Sequence, residues 1–252
     1  MSKKQLKARF QKANLLDYQK DVPLHVEKLD QKHRIFTTYM MNGWDEAKEP
    51  LDIHFTIKKA SNIMIKHQPL TDSLPKEQSI YLQCNIEEEA LALFDKREVM
   101  PPDHSHINQH IKVNVNGDAE FIWAEIVQLN QSLDYHYHSL MEIWDGSHCI
   151  SYDPLQFSSQ QKAILANHGL TEEFSYMASI WYISPNPPPF DEWDIQQRLS
   201  QAKHHRAGMT DLDGKGILIR WLSTDLSLLR QEVEDVLAFF DEKITELRKW
   251  RV

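Results

Sequence analysis

IKVNVNGDAEFIWAEIVQL, residues 111–129, and SLMEIWDGSHCISY, residues 139–152, carry the reading on which the fold turns. In each, β-branched and aromatic residues surround a turn dipeptide, Asn116-Gly117 or Asp145-Gly146, and such dipeptides mark tight hairpins. The block from Ile111 to Tyr152 therefore predicts an antiparallel meander. Strand-like runs continue on both sides of it: His33–Met40, Leu51–Ile57, Asn62–Lys66, Ser79–Cys84, Met177–Ile183 and Gly216–Leu222. No repeat of fixed period is visible in the residues.

Helical signals flank this block. At the N-terminus Leu6, Phe10, Ala13 and Leu16 make a stripe, and Lys3, Lys4, Lys7, Arg9, Lys12 and Lys20 make the helix basic. Asn85 with Glu88, and Ser158 with Gln161, read as helix starts. Asp191 opens another helix through Ile195 and Leu199, ending in Lys203-His204-His205-Arg206. The last helix is the plainest. Leu226, Leu229, Val233, Val236, Leu237, Phe240, Ile244 and Leu247 recur at spacings of three and four behind Asp225, a capping residue. Such a stripe needs a large apolar partner, either its own sheet or a second copy.

The expected fold class is α+β: a central, mostly antiparallel sheet or small barrel flanked by N-terminal and C-terminal helices. Ser184-Pro185-Asn186-Pro187-Pro188-Pro189 cannot continue a helix or a central strand. It divides a main domain, 1–183, from 190–252, with 184–189 as a connector. A 63-residue remainder is marginal alone, so it should pack back on the main body as helix, strand and helix.

Composition narrows function by exclusion. The 252 residues carry a formal charge of −9, which disfavours nucleic acid except at the basic N-terminal helix. No run approaches the roughly 20 apolar residues of a membrane span, and the N-terminus lacks a secretory pattern; a cytoplasmic location is expected. Cys84 and Cys149 are too few for a disulfide framework. Four of the seven tryptophans, Trp123, Trp144, Trp181 and Trp221, lie in strand-like runs and should be core.

Thirteen histidines suggest chemistry. His104, His106 and His110 lie in one segment, and His136 and His138 sit two apart, as ligands sharing one strand face would. No complete metal signature surrounds them, so no metal is expected; the alternative is a site from His104, His106, His136 and His138. Asp52-Ile53-His54-Phe55-Thr56 resembles one half of the paired His-x-Thr strands of two-histidine phosphoesterases, but a second copy is missing. Asp211-Leu212-Asp213-Gly214-Lys215-Gly216 fails as a calcium loop because Leu222 stands where an acid is required.

These absences favour a non-enzymatic, cofactor-free, acidic binding protein, an adaptor or an inhibitor that neutralises a toxin or nuclease. Its protein partner would meet acid-flanked aromatics, Trp44-Asp45-Glu46 and Asp191-Glu192-Trp193. Self-association would run through the C-terminal helix. The alternative is a hydrolase, metal-dependent or not, acting on phosphoesters through His104, His106, His110, His136 and His138.

Overall fold

The structure, a computed structural model, describes residues 4–22, 24–29, 35–42, 49–67, 76–129, 134–158, 174–184, 192–199 and 205–249. Among these residues lie fifteen strands and two helices. The protein is mostly β, arranged like a β-solenoid, which overturns the α+β expectation.

Strands β5 (Leu51–Ile57), β7 (Glu77–Ile86), β9 (Ser105–Val115) and β11 (Tyr135–Asp145) run parallel in one sheet. Strands β4 (Thr37–Asn42), β6 (Asn62–His67), β8 (Leu91–Val99) and β10 (Glu120–Gln128) run parallel in the other. The chain thus crosses between sheets after each strand and returns one strand further along. Leu51 pairs with Ile80, Ile80 with Gln109, and Gln109 with Ser139, steps of 29, 29 and 30 residues. In the second sheet Asn62 pairs with Leu91 and Leu91 with Glu120, 29 residues each time. A repeat does exist, in the backbone.

Strand β1 (Lys4–Gln11) extends the first parallel set beside β5, and antiparallel strands finish each sheet. With β1, β2 (Asn14–Lys20) and β12 (His148–Ser158), the first has order β12-β11-β9-β7-β5-β1-β2. With β3 (His25–Lys28), β13 (Tyr176–Ile183), β14 (His205–Asp211) and β15 (Gly216–Ser223), the second has order β14-β15-β13-β10-β8-β6-β4-β3.

Three local expectations change accordingly. The N-terminal helix is the hairpin β1–β2: Leu6, Ala8 and Phe10 alternate inward while Lys7 and Arg9 point out, so these two basic residues share a strand face. Asn85 to Phe94 is strand, turn and strand rather than a helix start. Asn116-Gly117 is no hairpin, since β9 and β10 belong to different sheets; Gly117, at φ 63°, turns the corner of a coil. Asp145-Gly146 does close a true hairpin, β11–β12. The β14–β15 hairpin accounts for the Asp211–Gly216 stretch without a ligand, its turn held by Gly214 N–H donating to Asp211 Oδ2 at 3.0 Å.

Corners stack as the coils do. Lys58 pairs with Glu87, and Lys59 reaches Glu88 at 3.3 Å and Glu89 at 2.9 Å. Ala60 and Glu89 carry positive φ, 55° and 60°, without being glycine.

The sheets differ in what covers them. In β5, β7 and β9 burial alternates, because the inner face meets the core and the outer face meets solvent. In β8, β10 and β13 nearly every residue is buried, the pattern of a sheet covered on both sides. The inner core holds Phe10, Phe55, Phe94 and Trp123, with Phe94 and Trp123 stacked 5.4 Å apart. The second core lies beneath helix α2 (Leu226–Lys249), whose Leu229, Val233, Val236, Phe240 and Ile244 are each at most 2% exposed. The stripe therefore finds its partner in the protein's own sheet. Asp225 Oδ1 accepts from the N–H groups of Ser227 (2.8 Å) and Leu228 (3.1 Å), the cap expected of it, which contributes about 1 kcal/mol.

Helix α1 (Glu192–Leu199) lies within the expected helix, whose start at Asp191 and whose residues Lys203 and His204 lie outside the described residues; His205 and Arg206 open β14 instead of ending a helix. Trp123, Trp181 and Trp221 are core, whereas Trp144 lies on the open outer face, half-buried. The predicted helix after Ser158 and the connector Pro185–Pro189 lie outside the described residues. Among the described residues no helix is long and apolar enough to cross a membrane.

Candidate functional site

Parallel registration of strands whose residues alternate in and out produces rows of outward side chains across the seven-stranded sheet. One row runs Gln5, Asp52, Tyr81, His110, Leu140; the next runs Lys7, His54, Gln83, Lys112, Glu142. Across these rows the side chains link into a ladder. His54 Nε2 lies 2.9 Å from Asp52 Oδ1, and its ring lies 6.4 Å from that of Tyr81. Tyr81 meets His110 edge to face at 5.2 Å, and His110 Nε2 is 2.8 Å from Glu142 Oε1. Trp144 Nε1–H donates to Glu142 Oε2 at 2.9 Å, and Lys112 Nζ sits over the Trp144 ring at 5.5 Å.

The electrostatics follow from this packing. Burial raises the Tyr81 phenol, and the carboxylates of Asp52 and Glu142 raise it further. Burial alone would raise Glu142, but hydrogen bonds from Trp144 and His110 and the charges of His110 and Lys112 outweigh it and hold the carboxyl below its ordinary range. Glu142 is thus an ionised acceptor fixed by two donors, with its side chain 13% exposed. Just beyond it on β12, opposite Glu142, Tyr152 stands 63% exposed. The face combines aromatic surface, oriented polar groups and nearly balanced charge, the make-up of a protein-binding surface.

The predicted histidines divide. His106, His110, His136 and His138 all project from this face; the two-residue spacing implied this for His136 with His138, whereas His104, two before His106, precedes β9 at φ 57° and falls outside its alternation. Of the cluster, only His106 and His136 are brought into contact, rings stacked. His138 Nδ1 lies 3.0 Å from Asn108, His110 is held by Glu142, and His104, before β9, lies 3.6 Å from Asp103 and 3.4 Å from Asp134. Among the described residues no three His, Cys, Asp or Glu side chains are set to hold a metal ion. His54 and Thr56 share the outer face, yet among the described residues no second His-x-Thr strand opposes them.

Trp44, Asp45, Glu46 and Asp191 lie outside the described residues. Glu192 begins helix α1, and Trp193 is 61% exposed on it. Cys84 is buried, which pushes its thiol up, and Cys149 is half-buried.

Sequence reasoning missed a buried polar layer between the sheets. Lys96 Nζ donates to Gln109 Oε1; Gln109 Nε2–H donates to Tyr137 Oη at 2.5 Å and Ser139 Oγ at 2.7 Å. Burial pushes Lys96 down to about 8, opposed by the Glu125 charge, and burial raises Glu125 itself. His67, nearby, is pushed down to about 3 by burial and then by the Lys96 charge. A lysine so perturbed would suit a catalytic base. The cavity beside it holds about 10 Å³, room for one water at most and for no substrate. The only advance signal was polarity at inward positions of β8 and β9, such as Lys96 and Gln109.

A family model described as UreD urease accessory protein matches residues 51–251, from β5 onward and including the whole ladder from Asp52 to Trp144. The urease accessory protein UreD of Sporosarcina pasteurii is 25% identical over 190 residues, covering 71% of this chain and 74% of that protein. UreD of Lysinibacillus sphaericus strain C3-41 is 22% identical over 209 residues, covering 78% of each chain.

Proposed function

The chain belongs to the UreD urease accessory protein family, and from that premise we propose that it serves urease as a non-catalytic, cytoplasmic binding protein. Membership replaces the expected toxin or nuclease inhibitor and the alternative phosphoester hydrolase. It leaves the broader expectation, a protein that works by holding another protein, as the reading carried forward.

The observation that carries the proposal is the asymmetry of the two sheets. Helix α2 covers the outer face of the eight-stranded sheet. The outer face of the seven-stranded sheet carries the ladder from Asp52 through Tyr81, His110 and Glu142 to Trp144, with Tyr152 beside it. Aromatic residues supported by oriented polar neighbours are what dominates binding energy at interfaces. The partner surface that fits is flat, carries its own hydrogen-bonding groups and needs no strong charge. A second contact is Trp193, favoured by its 61% exposure and the acids around it; binding there weakens as salt rises.

Replacing Trp144 or Tyr152 by Ala is expected to weaken binding to purified urease apoprotein by about 2 kcal/mol, roughly 30-fold. Leu228→Ala, at an exposed position of helix α2, should leave affinity unchanged. Biolayer interferometry with the full chain reads both. Equal affinities for all four proteins would remove the open face from the interface.

A further inference from the structure

The alternation that builds the ladder builds a second feature at the far end of the same sheet, where β1 and β2 join it. Lys7 and Arg9 leave the outer face of β1 two residues apart. Gln19 and Asp17 stand opposite them on β2, and His54 and Thr56 stand opposite them on β5. These two adjacent rows of side chains wall a groove of about 240 Å³. The two N-terminal strands carry Lys4, Lys7, Arg9 and Lys20 against one acid, Asp17, in a chain of formal charge −9. The groove is a positive region on an acidic protein, and such a field concentrates anions.

Its donors are unspent. Among the described residues the Lys7 ammonium, the Gln19 amide and the Thr56 hydroxyl have no side-chain or backbone partner. Arg9 Nη1 lies 3.0 Å from Asp17 Oδ2, but both side chains are at least half exposed, and such pairs hold weakly in water. The other nearby acids are engaged, Asp52 by His54 at 2.9 Å and Glu87 by Lys58. His54, turned to Asp52, serves as a wall.

We propose that this groove binds a phosphate-type oxyanion, as the free ion or as a monoester. An ammonium, a guanidinium, an amide and a hydroxyl from three strands surround one space, and a tetrahedral dianion accepts hydrogen bonds from all those directions. A carboxylate ligand gains little, because Asp17 already offers Arg9 a carboxylate; a doubly charged ion displaces it. Lys7, Arg9, Asp17 and Gln19 precede residue 51, where the family match begins, so the site is not one that membership assigns. It needs no protein docked on the ladder.

The test is calorimetric titration of the full chain in low salt at about pH 8, where a phosphate is doubly charged. Inorganic phosphate and glycerol phosphate are the two probes. Saturable binding of either supports the site, and the tighter of the two identifies the free ion or the ester as its ligand. Lys7→Gln and Arg9→Gln should each weaken binding about tenfold, the scale of one charge-assisted hydrogen bond. Thr56→Val, which changes no charge, should weaken it as well, and Asp17→Asn, which removes the competing carboxylate, should strengthen it. Lys20→Gln is the control for bulk charge: Lys20 stands opposite inward-facing Leu6 and reaches His25, so affinity should hold. No saturable binding of either probe, a loss in Lys20→Gln equal to that in Lys7→Gln, or unchanged affinity in both Thr56→Val and Asp17→Asn would overturn the proposal. Thermal melts of the variants, expected to match wild type, separate a lost ligand from a folding defect.

Discussion

Replacing Phe240 by Ala should lower the stability of the protein by about 3–5 kcal/mol. Phe240 is fully buried on helix α2, with its ring stacked on Tyr182 of β13 at 5.1 Å and flanked by Phe239 at 6.2 Å. Truncation removes the ring's transfer energy and leaves a cavity in a layer whose other members, Leu229, Val236 and Ile244, are held by their own contacts. In a chain of this length the loss corresponds to a melting point lower by roughly 6–20 °C. Urea unfolding gives the energy directly. A loss under about 1 kcal/mol would mean that helix α2 is peripheral, and that the eight-stranded sheet is not buried on its outer face as described.

Glu125→Ala should cost a comparable amount at pH 7, about 3–5 kcal/mol, because it strips the buried Lys96 cation of the carboxylate that acts on it. Adding Lys96→Met to that variant should recover most of the loss, since an apolar pair of similar volume needs no compensation. The pH dependence provides an independent check. The folded chain releases the Lys96 proton near 8, whereas an unfolded chain keeps a lysine proton to about 10.4. Between those values the unfolded state binds more protons, so Lys96 makes stability rise with pH. Burial raises Tyr135 and Tyr137, which work in the opposite direction at alkaline pH. The readout is therefore the difference between wild type and Lys96→Met, expected to move in favour of the wild type by up to about 3 kcal/mol from pH 8 to 10.4. A flat difference would mean that Lys96 is solvated.

The strands and the last helix were legible because their signals are redundant. Leu51-Asp52-Ile53-His54-Phe55-Thr56-Ile57 alternates without a break, and the α2 stripe holds its period over six turns. The N-terminus misled because Leu6 and Phe10 satisfy a four-residue helical spacing and a two-residue strand spacing at once. Only Ala8 between them, a small residue with little hydrophobic weight, favours the strand.

The solenoid stayed hidden for a different reason. Each coil turns at an equivalent place, but with Lys58-Lys59-Ala60, then Glu87-Glu88-Glu89, then Asn116-Gly117-Asp118. The first two reach positive φ at Ala60 and Glu89, where no glycine announces a turn. Their charges are complementary rather than alike, so stacking them conserves an interaction and erases the repeat. An Asn-Gly dipeptide at the third corner then suggested a hairpin, although the turn leads to the opposite sheet. The functional face was half legible. Two-residue spacing placed His136 with His138 on one face, but failed for His104 with His106, because His104 turns at φ 57° before β9 begins; the register that joins His54, Tyr81, His110 and Glu142 spans residues 54 to 142 and is set by the coil length.

Hydroxyl-radical footprinting of the complex with urease apoprotein tests the proposed docking face most directly, because it reads side chains one at a time by mass spectrometry. The open-face account predicts that Trp144 and Tyr152 lose reactivity on complex formation while Leu228 on helix α2 keeps it. A complex in which Trp144 and Tyr152 react as they do in the free chain, with protection confined to Trp193 or to helix α2, would contradict it.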